Sequence, residues 1–346
     1  MRRDSQSRRW RRATAAAVAV SAATFCSTAA AQQSCTGLCC KRHPKACTTI
    51  STAGQYALPP PPPLPSSLDA VASRAEQVDS PPGWPTPPVI TDDVSLQRVA
   101  SAKCCGGNDV QRAARVDAIA RMHSHGMVKM ERRLRTVELA LAALAVPGDY
   151  VECGSNTGGT AVLMLAVLRD FAPHGRILFA ADSFQGLPSP TTEDAIDLTA
   201  HRHWRKGQHL ARVSDFNKNL RRNGMYEGDG PKRVRVLEGW FSETLPKAPI
   251  HRISFLRLDG DLYVSTMDSL LHLYHKVIVG GMIYIDDYMA VGCRRALHEF
   301  RDRLNITTPM VKIWEQRNVV GVNGTSDNVT RLYEAVWWQK ESATLA

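Results

Sequence analysis

Two pairs of aspartates stand directly after apolar runs in this chain. Ile253–Leu258 is followed by Asp259-Gly260-Asp261, and "MIYI" at 282–285 is followed by Asp286-Asp287. A carboxylate at the end of a buried strand is costly to desolvate unless a cation or a donor compensates it. Asp and Gly are also common turn residues, so either pair alone reads equally well as a polar turn. If the two runs are neighbouring strands, all four acids meet at one sheet edge. Their mutual repulsion then favours protonation or a bound cation. An all-oxygen set with no His or Cys suits Mg²⁺ better than zinc.

A second constellation is glycine-rich. "VECGSNTGGTA" at 151–161 puts Glu152 in a strand, Gly154 at its end, and Gly158 and Gly159 at the opening of a helix. Glycines allow close backbone approach, and a helix N-terminus attracts an anionic group. The dinucleotide fingerprint G-x-G-x-x-G is absent, because Ser155 and Asn156 follow Gly154. A second apolar run ends at Asp182-Ser183, where a carboxylate suits ribose hydroxyls or caps a turn. A third ends at Gly239, and the Trp240-Phe241 pair after it suits packing on an adenine or in a core.

These residues need a scaffold that brings strand ends together. Short apolar runs at 150–154, 176–183, 233–239, 253–259 and 282–287 alternate with helical stretches at 158–171, 212–223, 265–277 and 292–304. A further helix is predicted over 116–144, broken at Gly126. The alternation predicts an α/β fold, with a parallel sheet covered by helices on both faces. Ligands bind such sheets at the carboxyl ends of the strands, where the strand order reverses. The runs 310–315 and 331–339, joined by a polar loop at 321–328, predict an antiparallel hairpin closing one edge. The segment 189–220 is too long and polar for a simple connection. It reads as a lid over an acceptor site, with His201, His203 and Trp204 available to a sugar, or as a solvated insertion.

Upstream of this pattern the composition changes. Residues 1–31 carry an Arg-rich start, an Ala/Val-rich stretch and Ala29-Ala30-Ala31, the layout of a signal peptide. Residues 32–47 hold Cys35, Cys39, Cys40 and Cys47, and such clustering beside a leader suggests disulfides in an oxidising compartment. Residues 48–104 read as a proline-rich spacer, which starts the folded domain at 105 and carries it to 346. Asn305, Asn323 and Asn328 are potential glycosylation acceptors. The expected location is therefore the secretory pathway or outside the cell, with a plastid or mitochondrial transit peptide as the rival. The apolar stretch is too short and diluted for a stable membrane span. Net charge is +10 over 346 residues, and six arginines against one aspartate in the leader supply about half of it. The rest gives no ground for a nucleic-acid partner.

The motifs "VPGDYVECGSNTGGTA", "LFAADSFQGLPSPT", "VRVLEGWFSETLP", "FLRLDGDLYVSTMDSLLHLY" and "VGGMIYIDDY" occur in this order. The chain resembles the macrocin O-methyltransferase family over about 126–315. Where the family usually has "FDTFEG", this chain has "ADSFQG", which keeps Asp182. The resemblance implies a class I S-adenosylmethionine methyltransferase fold, Rossmann-like, with a mostly parallel seven-stranded sheet. It also implies Mg²⁺ on Asp259, Asp286 and Asp287, with Asp261 as general base. S-adenosylmethionine would contact Glu152, Gly154, Asn156 and Thr160, with Asp182-Ser183 at the ribose and Gly239–Phe241 near the adenine. The acceptor would be a hydroxyl of a small molecule, a sugar or glycoside, and a helix at 127–145 would be a candidate homodimer surface.

Two other classes compete. Asp259-Gly260-Asp261 also resembles the D-x-D motif of metal-dependent glycosyltransferases, a reading that leaves "VECGSNTGG" and Asp286-Asp287 unexplained. A secreted binding protein is disfavoured, because four converging acids would destabilise a fold that did not use them.

Overall fold

The computed structural model describes residues 85–104, 108–122, 126–172, 175–194, 204–226, 233–319 and 328–341. The leader, the cysteine-rich segment, the proline-rich run at 58–68, and His201, His203 and Asn323 lie outside them. In chain order the elements are α1 (Asp93–Cys104), α2 (Asp109–Ala120), α3 (Met130–Ala143), β1 (Asp149–Cys153), α4 (Gly159–Phe171) and β2 (Leu178–Asp182). There follow α5 (Val213–Arg222), β3 (Val234–Glu238), the single turn α6 (Phe241–Thr244), β4 (Ile253–Leu258), α7 (Tyr263–Leu273) and β5 (Val277–Ile285). The chain continues with α8 (Val291–Arg303), β6 (Val311–Val319) and β7 (Asn328–Gln339).

Side chains alternate between two faces along each strand, so each strand feeds two cores. Tyr150, Phe255, Met282 and Trp337 face a core shared with α1–α5. Their neighbours Val151, Leu256, Ile283 and Trp338 face another, shared with α7 and α8. The sheet runs β3-β2-β1-β4-β5-β7-β6. β1 to β5 pair in parallel, and β7 runs antiparallel between β5 and β6. This is the expected methyltransferase-type sheet with its closing hairpin. The order reverses between β1 and β4, which places the switch point, and the expected site, at the ends of those two strands.

The sheet elements agree with the sequence expectation to within a few residues, apart from three extensions. β5 begins at Val277, five residues before the predicted start, and β6 and β7 together extend the hairpin. Gly280 and Gly281 hid the start of β5. Gly280 has φ +83, and a Cβ there would sit 2.5 Å from Pro87. Pro87 therefore belongs to the packed structure, and the boundary expected at 105 comes too late. Ile90, Leu96 and Ala100 are buried, Ile90 N–H donates to Gln339 Oε1 at 2.8 Å, and Arg135 of α3 pairs with Asp93 at 2.9 Å. The proline content of 85–88 hid a segment held against the sheet rather than a spacer.

Candidate active site

The acids meet because backbone pairing continues past the strand ends. Asp259 N–H donates to Cys153 O and Asp286 N–H to Leu258 O, both at 2.8 Å. This carries the registers of β1, β4 and β5 into the turns beyond them. Asp259, Asp286 and Asp287 each offer an oxygen, and these atoms all lie within 4.8 Å of one another. The trio expected as metal ligands is therefore assembled, and an all-carboxylate set at this spacing fits a hard divalent cation. Asp261 stands beside it with φ +61, a left-handed backbone that costs a non-glycine residue free energy. Its N–H donates to Asp287 Oδ2 at 3.2 Å. Strain of this kind persists where surrounding structure imposes it, often at functional turns.

Beneath the acids lies a buried polar row that sequence reasoning missed. The strand registers set Glu152 opposite Arg257, and Arg257 opposite Tyr284. Arg257 is completely buried. Its guanidinium reaches Asp259 at 2.8 Å, Asp286 at 3.0 Å and Glu152 at 3.2 Å. Arg132 of α3 adds a second cation, 2.6 Å from Asp286 and paired with Glu315 of β6. The acids are thus partly compensated by the protein itself. A signal was present in "YVECG" and "FLRLD": one charge in each of two adjacent buried strands must find a partner. Nothing local marked Arg132, which lies 154 residues from Asp286 in sequence.

The compensation is uneven. Burial works against the charge on Asp286, but Arg132 and Arg257 outweigh it and hold this carboxyl below the usual range. Burial, then the Asp261 and Asp286 charges, push Asp287 up to about 7. Burial and the Asp286 charge raise Asp259 well above the usual value, with Arg257 opposing them. Asp259 and Asp287 therefore bind protons where a cation would otherwise compensate them, while Asp286 stays ionised.

A cavity of about 530 Å³ opens over this edge. It is lined by the four aspartates, by Gly154, Asn156 and Thr160, by Met127, Val128 and Arg132 before and in α3, and by Trp204, Gln208 and His209 of the insertion. Glu152, Asp182, Ser183, Gly239, Trp240 and Phe241 lie outside that lining. Glu152 is buried below it, bonded to the Thr160 hydroxyl, and burial raises its pKa. Asp182 accepts Asn156 N–H at 2.8 Å and Phe184 N–H at 2.7 Å, so it shapes the turn at the floor of the site. Ser183 closes its own turn, donating to Gly186 O at 2.8 Å. The Trp240 carbonyl starts α6, and Phe241 packs against the core on the α7–α8 face.

Gly154 departs from the expected reason for its presence. Its φ is +90, and a Cβ there would lie 1.7 Å from Asp259 O. It is glycine because the β1 and β4 turns touch. The insertion is joined to the site through backbone contacts. Gly207 N–H donates to Leu187 O and Leu187 N–H to Gln208 O, both at 2.8 Å, while the Asn156 side chain donates to His209 O at 2.6 Å. This places Trp204 and His209 on the cavity wall; their rings are 6.2 Å apart.

The profile of the family described as Macrocin-O-methyltransferase (TylF) matches residues 87–319. The chain is 38% identical over 189 residues to 8-demethyl-8-(2,3-dimethoxy-alpha-L-rhamnosyl)-tetracenomycin-C 4'-O-methyltransferase of Streptomyces olivaceus, covering 54% of this chain and 70% of that one. It is 36% identical over 194 residues to mycinamicin III 3''-O-methyltransferase of Micromonospora griseorubida, covering 55% and 74%. Among solved structures, the O-methyltransferase NovP is 29% identical, with 71% of this chain and 97% of that one covered and a TM-score of 0.49.

Proposed function

The chain belongs to the macrocin-O-methyltransferase family of S-adenosylmethionine-dependent O-methyltransferases, and from that premise we propose that it methylates a hydroxyl of a sugar or glycoside with help from Mg²⁺. The observation that carries this reading is the Asp259, Asp286, Asp287 trio at one cavity edge, with Asp261 beside it on a left-handed backbone. The family also removes the glycosyltransferase alternative, and the "VECGSNTGG" turn and the second acidic pair find places in the same site.

Methyl transfer needs a nucleophilic oxygen held in line with an electrophilic methyl group, which S-adenosylmethionine supplies. Mg²⁺ held by Asp259, Asp286 and Asp287 would supply Lewis acidity that makes an alcohol easier to deprotonate. The chain provides the rest. Gly154, Asn156 and Thr160 form the cofactor side of the cavity, with Glu152 and Asp182 behind them bracing that wall. Arg257 and Arg132 keep Asp286 ionised, so one ligand is ready whatever the state of the other two. Asp261 takes the proton released as the O–CH₃ bond forms. Trp204 and His209 bound the acceptor side, where an indole face suits the C–H surface of a sugar.

Labelled S-adenosylmethionine with Mg²⁺ and a panel of glycosides tests the acceptor. Methylation of lipids or phenols in preference to every sugar and glycoside would refute it. We also propose a secretory or extracellular location, on the strength of the leader and the cysteine cluster. Asn305 is exposed, as a glycosylation acceptor must be. Among the described residues no helix is long and apolar enough to cross a membrane.

A further inference from the structure

We propose that Asp194 is a positioning residue that ties the insertion to the turn carrying Asp261. The reading rests on Asp261 being the base, as proposed above. α7 begins two residues after Asp261, and its first N–H groups have no intrahelical partner. The residue at its N-cap is Leu262, whose side chain cannot accept a hydrogen bond. The missing acceptor comes from 69 residues upstream: Asp194 Oδ1 takes Tyr263 N–H at 2.8 Å. Its other oxygen takes Thr191 N–H at 2.9 Å and the Thr191 hydroxyl at 3.1 Å. The residue is 95% buried, since its relative exposure is 5%.

Room for that carboxylate is made by Gly292, in the first turn of α8. A Cβ at Gly292 would lie 1.9 Å from Asp194 Oδ1 and 3.1 Å from Tyr263 N. Two helix N-termini thus face one buried carboxylate, and both favour its negative charge. The consequence is mechanical. Asp261 keeps a left-handed φ only while its neighbours hold it, and Leu262 N–H is already drawn back to Gly260 O at 2.6 Å. Fixing Tyr263 fixes the far side of that turn. The same contact fixes the start of the insertion, at Thr191 and Asp194, beside the turn that carries Asp261.

The test combines Asp194→Ala, Asp194→Asn, Gly292→Ala and the Asp194→Ala/Gly292→Ala double variant in the full chain. Amide exchange in a peptide spanning 259–266 reads the anchor directly. Asp194→Ala should speed it at least ~10-fold, and Gly292→Ala should do the same by crowding the carboxylate out. The double variant should be no worse than the worse single one, because both remove one contact. Asp194→Asn keeps an oxygen for Tyr263 and should restore most of the protection. For the glycoside accepted in the screen, kcat should fall ~10–10²-fold in both single variants, as small misplacement of a catalytic group does. S-adenosylhomocysteine affinity should stay unchanged. Unaltered exchange at 259–266 in both single variants, or additive effects in the double one, would overturn the anchor. Intact turnover in Asp261→Asn, with exchange still raised by Asp194→Ala, would instead sink the base assignment and leave the anchor standing.

Discussion

Asp261 and Arg257 sit four residues apart and show two different relations between sequence and site. Asp261 was legible as part of an acidic edge, because two acidic pairs end two apolar runs, whereas either pair alone reads equally well as a polar turn. The base role proposed for it predicts that Asp261→Asn, nearly isosteric but a poor base, keeps S-adenosylhomocysteine and Mg²⁺ affinity while lowering turnover ~10²–10⁴-fold. Calorimetry and steady-state rates check the two halves separately, and loss of Mg²⁺ binding would make Asp261 a ligand instead. Arg257 was overlooked, because in "FLRLD" it looks like an interruption of a strand until Glu152 in the neighbouring strand is considered with it. Besides the nearby Asp259, its partners are Glu152 of β1 and Asp286 just after β5, and only the register of the sheet reveals those two. Arg257→Met should cost about 3–5 kcal/mol in urea unfolding, since it strands buried carboxylates without their cation. An unchanged midpoint would show that the acids do not depend on it. Trp240 and Phe241 teach the opposite lesson: an aromatic pair after a glycine suits a nucleobase or a core, and no local pattern separates the two.

Elements were read more securely than their reasons. The strands bearing acids were placed to within two residues at their carboxyl ends, where polar turns bound the apolar runs, although β5 begins five residues earlier than expected. The glycine after β1 was also placed correctly, but its physical cause lies in a second strand. Since a Cβ at Gly154 would collide with Asp259 O at 1.7 Å, Gly154→Ala should damage the fold as well as cofactor binding. A melting scan should show a large loss of stability, and a stable variant with weak cofactor binding would restore the simpler explanation. Composition misled at the N-terminal edge, where prolines masked the start of packing. A chain beginning at 105 lacks α1 and the strap at 87–90. It should melt well below one beginning at 85, and Leu96→Ala alone should cost ~2–5 kcal/mol as a fully buried leucine. Equal melting of the two truncations would return residues 85–104 to the status of a spacer.

Taken whole, the molecule spends folding stability to keep its acids together, and that expense has a pH signature. Asp287 titrates near 7 in the fold, against an ordinary carboxyl value of 3.8, and Asp259 is raised as well. Between about 4 and about 7 the metal-free fold therefore binds more protons than the unfolded chain, and from these groups its stability falls as pH rises. Asp286 has the opposite sign: its folded pKa is depressed, so its contribution is present above 3.8 and is lost only in stronger acid. A cation on the trio competes with those same protons. The stabilisation by Mg²⁺ should accordingly be small at pH 5, grow through pH 7 and level off above it. At a hundredfold excess over its dissociation constant it amounts to ~2.7 kcal/mol. Melting curves with Mg²⁺ and with chelator across pH 5–9 measure it directly, and Asp287→Asn should flatten the pH dependence by removing the most clearly shifted group. A metal effect that is constant over this range, or larger in acid, would mean that the protons and the cation do not share a site, and the trio would lose its place at the centre of the mechanism.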